Sequence, residues 1–474
     1  MKKYILTIIA LATLWSCQTD EAYERLNRDP KNPTQVRADF LFTSATVSLA
    51  DQMATPNVNN NVFRFLAQYL TTTTYLDEPN YRINIRSIPD RHWSILYRNV
   101  IFNLQDAKNI VNENPELTEG EKRARIGQIE VIEVYAWHVL VDTFGDIPYT
   151  EALDPEISLP KYDDDAVIYD DLLDRLSAVV ADLDAGQGFT GADVIYGGDM
   201  DAWVKFANSL RLRLAMRISD VDAASSKTHA NAAIAGGVFE SNDDNAVIQY
   251  QSSPPNTNPL WSDLVQSGRS DYVAANTIVD IMNDLGDPRR DEYFRQNLGA
   301  GVFVGGIYGD SNSFPLYSHA GDAFHDPTHP GILLDYAEVQ FHLAEAAQIG
   351  GYNTPMDAKG HYEEAIRASI LYWGGTEAEV TAYLAKADVA YNGTKEQLGT
   401  QFWIAMYDNP FQGWSVWRKF DAPDMNLAAE SELPVPLRYT YPVNEQNLNV
   451  DNYNAASTAI GGDEQQTPVF WDVD

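Results

Sequence analysis

Apolar side chains recur every three or four positions over much of the chain, the period of amphipathic helices. Ile129, Ile132, Ala136, Val139 and Phe144 form one stripe, with Glu130, Glu133 and His138 off it. Ile168, Leu172, Leu176, Val179 and Leu183 form a second, and Trp203, Phe206, Leu210, Leu214 and Ile218 a third, beside Lys205, Arg211, Arg213 and Arg217. Ile332, Tyr336, Val339, Leu343 and Ala346 form a fourth. The second stripe is entered through Asp163-Asp164-Asp165. Carboxylates there suit a helix start, where they cap free N–H groups and complement the dipole. Calcium is the alternative, but the glycine turn and ligand spacing of a calcium loop are missing.

Gly350-Gly351 marks a turn after the fourth stripe, and Ala358, Tyr362, Ala365 and Ile366 continue the helical period beyond it. Small residues at Ala346 and Ala358 fit the close packing of a tetratricopeptide-like helix pair, and similar pairing is expected of 91–113 with 119–143. Between the helices lie long stretches rich in Gly, Pro, Asn and Asp, at about 71–90, 184–200, 240–270, 286–330 and 420–474. Loops this long in a compact protein usually carry function. Short strands are expected only around 245–251 and 301–308. The class is mostly α: helix pairs carrying large loops.

Composition adds constraints. The 474 residues hold 33 Lys+Arg against 68 Asp+Glu, a formal charge of −35. That repels a phosphate backbone and excludes a bulk nucleic-acid binder. A single cysteine, Cys17, excludes an intramolecular disulfide and any multi-cysteine zinc site. It follows Lys2, Lys3 and an apolar run from Tyr4 to Trp15, the layout of a secretory signal. Leu14-Trp15-Ser16-Cys17 resembles a bacterial lipobox, in which cleavage precedes an acylated cysteine. The expectation is a signal peptide over 1–16, lipidation at Cys17 and a single domain over 17–474. An ordinary signal peptide with a chance cysteine is the alternative.

Several segments together resemble the SusD/RagB family of outer-membrane lipoproteins. They are Asp142-Thr-Phe-Gly-Asp-Ile-Pro-Tyr-Thr-Glu-Ala152, Trp203 to Arg217, Asp335-Tyr-Ala-Glu-Val-Gln-Phe-His-Leu-Ala-Glu-Ala346, Trp414-Ser-Val-Trp-Arg418, Tyr441-Pro442 with Glu445, Asn452-Tyr453, and Thr467-Pro-Val-Phe-Trp471. Their order and spacing hold across almost the whole chain. The resemblance implies four tetratricopeptide-like helix pairs and a loop-rich binding face. It also implies a surface-exposed, lipid-anchored protein that captures glycan, or peptide in some members, as the lid of a SusC-like TonB-dependent transporter. These motifs are architectural and do not name the ligand contacts.

Sugar sites combine flat aromatic faces with hydrogen-bonding side chains. Aromatics are dense over 63–97; Trp93 and Tyr97 have helical spacing and read as core, whereas Tyr75 and Tyr81 fall in a polar loop. That loop carries Arg82 and Arg86, which could bind an anionic ligand or simply pair with Asp77, Glu78 and Asp90. In 252–325 the candidates are Trp261, placed near a surface turn by Ser252 to Leu260, together with Tyr272, Tyr317 and Phe324. In the resembled family the ligand commonly sits among loops drawn from these two regions. The aromatics from Phe402 to Trp417 read as packing.

His319, His325 and His329 crowd a Gly/Pro loop and are weak metal candidates without a catalytic spacing. No cofactor is implied. Glycine-rich stretches such as Gly299-Ala-Gly301 lack a phosphate-loop context, and Gly309-Asp-Ser311 lacks a nucleophile elbow. The expected protein is therefore a non-enzymatic glycan binder. A peptide binder, a lipid-anchored glycan hydrolase and a structural lid without ligand affinity are the alternatives.

Overall fold

The structure is a computed structural model, and it describes residues 36–431 and 433–473. The signal peptide and Cys17 lie outside the described residues.

Helices dominate. The first part of the chain supplies α1 (Ala38–Ala54), α2 (Ile88–Ser94), α3 (Phe102–Glu113) and α4 (Glu119–Phe144). A π-helical segment, Ile95–Ile101, joins α2 to α3 without a break. Next come α5 (Asp165–Leu183), α6 (Met200–Arg217), α7 (Ala223–Gly236) and α8 (Asn276–Leu285). The last part contains α9 (Tyr336–Ile349), α10 (Ala358–Tyr372), α11 (Glu377–Leu384), α12 (Lys395–Ala405), α13 (Pro410–Phe420) and α14 (Val450–Ala459). Helices close in sequence pack together: α3 with α4, α4 with α5, α6 with α7, α9 with α10 and α12 with α13. Among the described residues no helix is long and apolar enough to cross a membrane.

The helix starts follow from local chemistry. Thr118 and Glu121 form a reciprocal capping box on α4. Asp164 caps α5, accepting the N–H of Val167 at 3.1 Å, as the acidic entry predicts. The fourth stripe needs a correction. Ile332 lies in strand β4 (Gly331–Leu334), and α9 begins at Tyr336 with Asp335 as its cap. An apolar strand running straight into a capped helix mimics one longer stripe.

The strands are short. β1 (Leu70–Thr72) pairs antiparallel with β3 (Tyr272–Ala274), and β2 (Ala246–Ile248) with β4. No strand forms at 301–308, which contributes only a bridge from Gly306 to Ala275. The tail is also more ordered than its composition suggests. It holds Val443–Leu448 and α14, and ends in a fully buried Trp471.

Four remote segments meet inside the scaffold at Asp142, near the end of α4. Its carboxylate accepts from the Tyr169 hydroxyl at 2.6 Å and from the Trp471 indole at 2.7 Å. Its backbone carbonyl accepts from Arg418 at 2.8 Å. The Arg418 guanidinium lies over Trp414 at 3.7 Å and Trp471 at 4.6 Å, and Arg217 lies over Trp471 at 4.8 Å. Burial lowers Arg418 to about 10.

Candidate functional site

Pairing of β1 with β3 brings the two loop regions into one layer, Leu70 opposite Ala274 and Thr72 opposite Tyr272. Further ties hold that layer. Asn258 binds the backbone of Pro327 at 2.9 Å and of His329 at 2.8 Å, and Asn80 donates to the Gly309 carbonyl at 2.7 Å.

Beside this layer, at the C-terminal end of α1, opens a polar cleft of about 340 Å³. Asp51, Asn57, Asn60, Asn99, Thr257 and Asp263 supply its hydrogen-bonding groups. They come from α1, the loop after it, the π-helical segment at Ile95–Ile101 and the turn at 255–263. A second π-helical segment, Ser262–Gln266, carries Asp263. Single π-turns inside helices often occur at functional sites, because the extra residue redirects side chains. Among the described residues both π-helical segments line this one cleft. Asn258 starts the short helix before the second, accepting the Leu260 N–H at 2.7 Å.

The cleft's polar groups are partly tied to one another. Asn57 Nδ2 donates to Asp263 at 3.3 Å, the Tyr250 hydroxyl to Asp51 at 2.7 Å, and Gln52 Nε2 to the Asn60 carbonyl at 3.0 Å. The Gln52 Oε1, at the buried floor, has no hydrogen-bond partner. Burial raises Asp51 to about 6 against the opposing bond from Tyr250. It likewise raises Asp263 to about 6 against the bond from Asn57. Both are mainly ionised at neutral pH and protonated in mild acid. No lysine or arginine lines the cleft. The arrangement suits a neutral polyhydroxylated ligand, whose hydroxyls can both donate and accept.

Of the residues singled out in the sequence, Trp261 comes nearest. It is half-buried, in the same short helix as Pro259 and just before Ser262, both of which line the cleft. Tyr75 is half-buried and held by arginines; Arg269 donates to its hydroxyl at 2.5 Å, and Arg86 lies 5.1 Å from its ring. Tyr317 is half-buried, its carbonyl taken by Asn297.

Three candidates are corrected. Tyr81, Tyr272 and Phe324 are 4%, 5% and 1% exposed and serve packing. Tyr81 faces Tyr308, Tyr272 lies between Phe65 and Tyr75, and Phe324 stacks on Tyr407. The exposed arginines of this loop are paired with acidic neighbours: Arg86 with the buried Glu78, and Arg82 with Asp77 at 3.3 Å and Glu430 at 3.8 Å.

The three histidines form no metal cluster among the described residues. His319 stacks on Phe314, His325 bonds the Gly321 carbonyl, and His329 bonds the buried Asp408 at 2.7 Å. The described residues do gather Asp146, Asp164 and Asp165 within 4.8 Å of one another. Asp164 caps α5, Asp146 accepts the Asp165 N–H at 3.0 Å and Asp165 that of Phe470 at 3.3 Å, which accounts for the group structurally.

The cleft residues other than Trp261's neighbours escaped sequence reasoning. The one signal was the asparagine run Asn57, Asn59, Asn60 and Asn61.

Comparison with known proteins decides the family. Residues 30–442 match the profile of the SusD-like family described as starch-binding and associating with the outer membrane. The chain belongs to the SusD-like family. Among solved structures, a chitin-binding protein shares 27% identity at TM-score 0.79, covering 92% of this chain and all of that one. A SusD homolog from Bacteroides uniformis shares 26% at TM-score 0.79, with the same coverage of both chains. A Bacteroidetes SusD-like protein shares 25% at TM-score 0.80, covering 93% of this chain and 100% of its own. No curated protein matches the chain.

Proposed function

We propose that this SusD-like protein is a non-enzymatic receptor for a neutral glycan, bound at the polar cleft between α1, Ile95–Ile101 and Ser262–Gln266, with chitin-type and starch-type chains as the first ligands to test. The observation that carries the reading is the convergence of both π-helical segments on a pocket of amides, hydroxyls and carboxylates that lacks a cation. The family description names starch, and one similar structure is a chitin-binding protein. Chains of N-acetylated sugars present amides that Asn57, Asn60 and Asn99 can match donor for acceptor.

The decisive experiment is titration calorimetry of chitin and malto-oligosaccharides against the protein and its Asn57→Ala and Asp263→Ala variants. Loss of a hydrogen bond to a charged group costs about 1.5–3 kcal/mol, so Asp263→Ala should weaken binding by roughly ten- to a hundredfold. Unchanged affinity in both variants refutes the cleft. Soluble fragments released from polymer would favour a hydrolase instead.

The same proposal includes anchoring through lipidated Cys17 and delivery to a SusC-like TonB-dependent transporter. The family's association with the outer membrane supports both. Co-purification of an outer-membrane β-barrel with the native protein would test the partner, and mass spectrometry of its N-terminus would test the anchor.

A further inference from the structure

A second cleft, of about 620 Å³, lies along the N-terminal half of α1, against Gly191, Ala192, Val194 and the segment Ile248–Gln251. It adjoins the first. Ser48 lines both, and Asn256 lines the second while its neighbours Pro255 and Thr257 line the first. Tyr250 belongs to the wall of the second cleft, yet its hydroxyl reaches Asp51 in the first. One stripe of α1 runs beneath both, from Phe40 through Ser44 and Ser48 to Asp51 and Thr55. At 1.5 Å per residue that stripe is about 22 Å long, room for several sugar units.

The far end carries Phe40, a large aromatic that is 63% exposed. The Arg37 guanidinium lies 5.4 Å from the centre of that ring, and an aromatic at the mouth of a polar cleft is a surface on which a sugar ring can stack. The same cleft is lined by Ser44, Gln249, Gln251 and Asn256, all exposed, with Asp39 its one charged group. The amides and hydroxyls repeat part of the chemistry of the first cleft, and Phe40 adds an aromatic platform that the first cleft's lining lacks.

We infer that the second cleft is a separate subsite for the same glycan chain, so that the protein grips an internal stretch of polysaccharide along α1. This rests on the glycan reading of the first cleft. Two subsites joined through one ligand act as a linked pair, and a chain long enough for both gains affinity by effective concentration.

The test compares a disaccharide with a long oligomer of the same sugar, chitin-derived and starch-derived, on the protein, Phe40→Ala and Ser44→Trp. Ser44 is exposed on the helix surface, so the tryptophan fills the cleft without entering the core. The expected result is tighter binding of the long oligomer by the unaltered protein. Each variant should lose about tenfold for that oligomer, worth about 1.4 kcal/mol, with disaccharide affinity unchanged. Equal loss for both lengths, or no loss for either, overturns the inference. Oligomer affinity that rises when residues 18–35 are removed also overturns it, because the cleft would then be the seat of the chain's own N-terminal segment. If neither length binds the unaltered protein, the glycan reading itself fails, a result distinct from the others.

Discussion

Arg213 and Glu338 form a buried ion pair between α6 and α9, and its removal should cost the fold a large part of its stability. Both side chains are fully buried. The guanidinium gives Glu338 two bonds, of 2.5 and 2.8 Å, and a third, of 2.8 Å, to the Leu333 carbonyl in β4. Burial alone would raise Glu338, but the Arg213 charge overrides it and holds the carboxylate at about 2. Arg213→Met strands that carboxylate with only Gln412, at 2.6 Å, and His342, at 3.4 Å. Removing one partner of a buried pair costs about 3–5 kcal/mol, and the remaining Gln412 donor places Arg213→Met near 4. Glu338→Gln should cost about 3, since the arginine keeps Leu333 and a contact with the Tyr135 ring. The double variant Arg213→Met with Glu338→Gln leaves no stranded charge and should recover at least about 2 kcal/mol of the summed single costs. Urea denaturation of the four proteins gives this cycle directly. Single costs that simply add would refute the coupling, and with it the role assigned to the pair.

Other outcomes are equally specific. Asp335, raised to about 7 by burial and the neighbouring Glu338 charge, takes up a proton in the folded state that the unfolded chain lacks between about pH 4 and 7. Stability should therefore rise as pH falls from 8 to 5, and Asp335→Asn, which still caps α9, should melt higher than the parent at pH 8 but not at pH 5. In the cleft, a sugar hydroxyl donating to ionised Asp51 or Asp263 loses its best acceptor as pH falls through about 6, so affinity should drop between pH 7.5 and 5 and the slope should flatten in Asp263→Asn. Arg82→Glu should leave glycan affinity unchanged, because Arg82 already faces Asp77 and Glu430; a tenfold loss would restore the basic-loop reading. Gly413→Ala should destabilise by about 1–3 kcal/mol in thermal melts, since its Cβ would fall on the buried Tyr69 phenol.

How far the sequence spoke depended on periodicity. The stripes at Ile129, Ile168 and Trp203 lie in α4, α5 and α6; in α5 one buried face imposes the 3.6-residue repeat, whereas α4 from Val131 to Phe144 and α6 from Phe206 to Arg217 are buried on all sides, polar residues such as Glu133 and His138 included. The Ile332 stripe misplaced a boundary because a buried strand is apolar on both faces and carries no contrary signal. Loop aromatics misled for another reason. Tyr81 and Tyr272 sit in segments of polar composition, yet those segments fold into a layer of their own, held by β1, β3 and side-chain ties such as Asn80 to Gly309. Local polarity does not report such burial. The cleft was invisible because Asp51, Asn99 and Asp263 are far apart in sequence, and only the pairing of distant loops brings them together.

The family motifs and the cleft belong to different parts of the molecule, and that separation explains why the motifs are silent about ligand. Asp142, Arg217, Trp414, Arg418 and Trp471 come from four of the recognisable segments and meet at one buried hub, where each satisfies or covers another. The Asp335–Glu338 segment of another motif starts α9 and holds Arg213 against β4. Such sites tolerate little change, because a buried charge left without its partner costs several kcal/mol. Asn57, Asn60, Asn99 and Asp263 are half-exposed side chains on a loop and two π-helical turns, where substitution costs the fold little. A scaffold pinned at its hub can therefore keep its shape while the residues around Asn57 and Asp263 change, and ligand preference can shift without a trace in the motifs that identify the family.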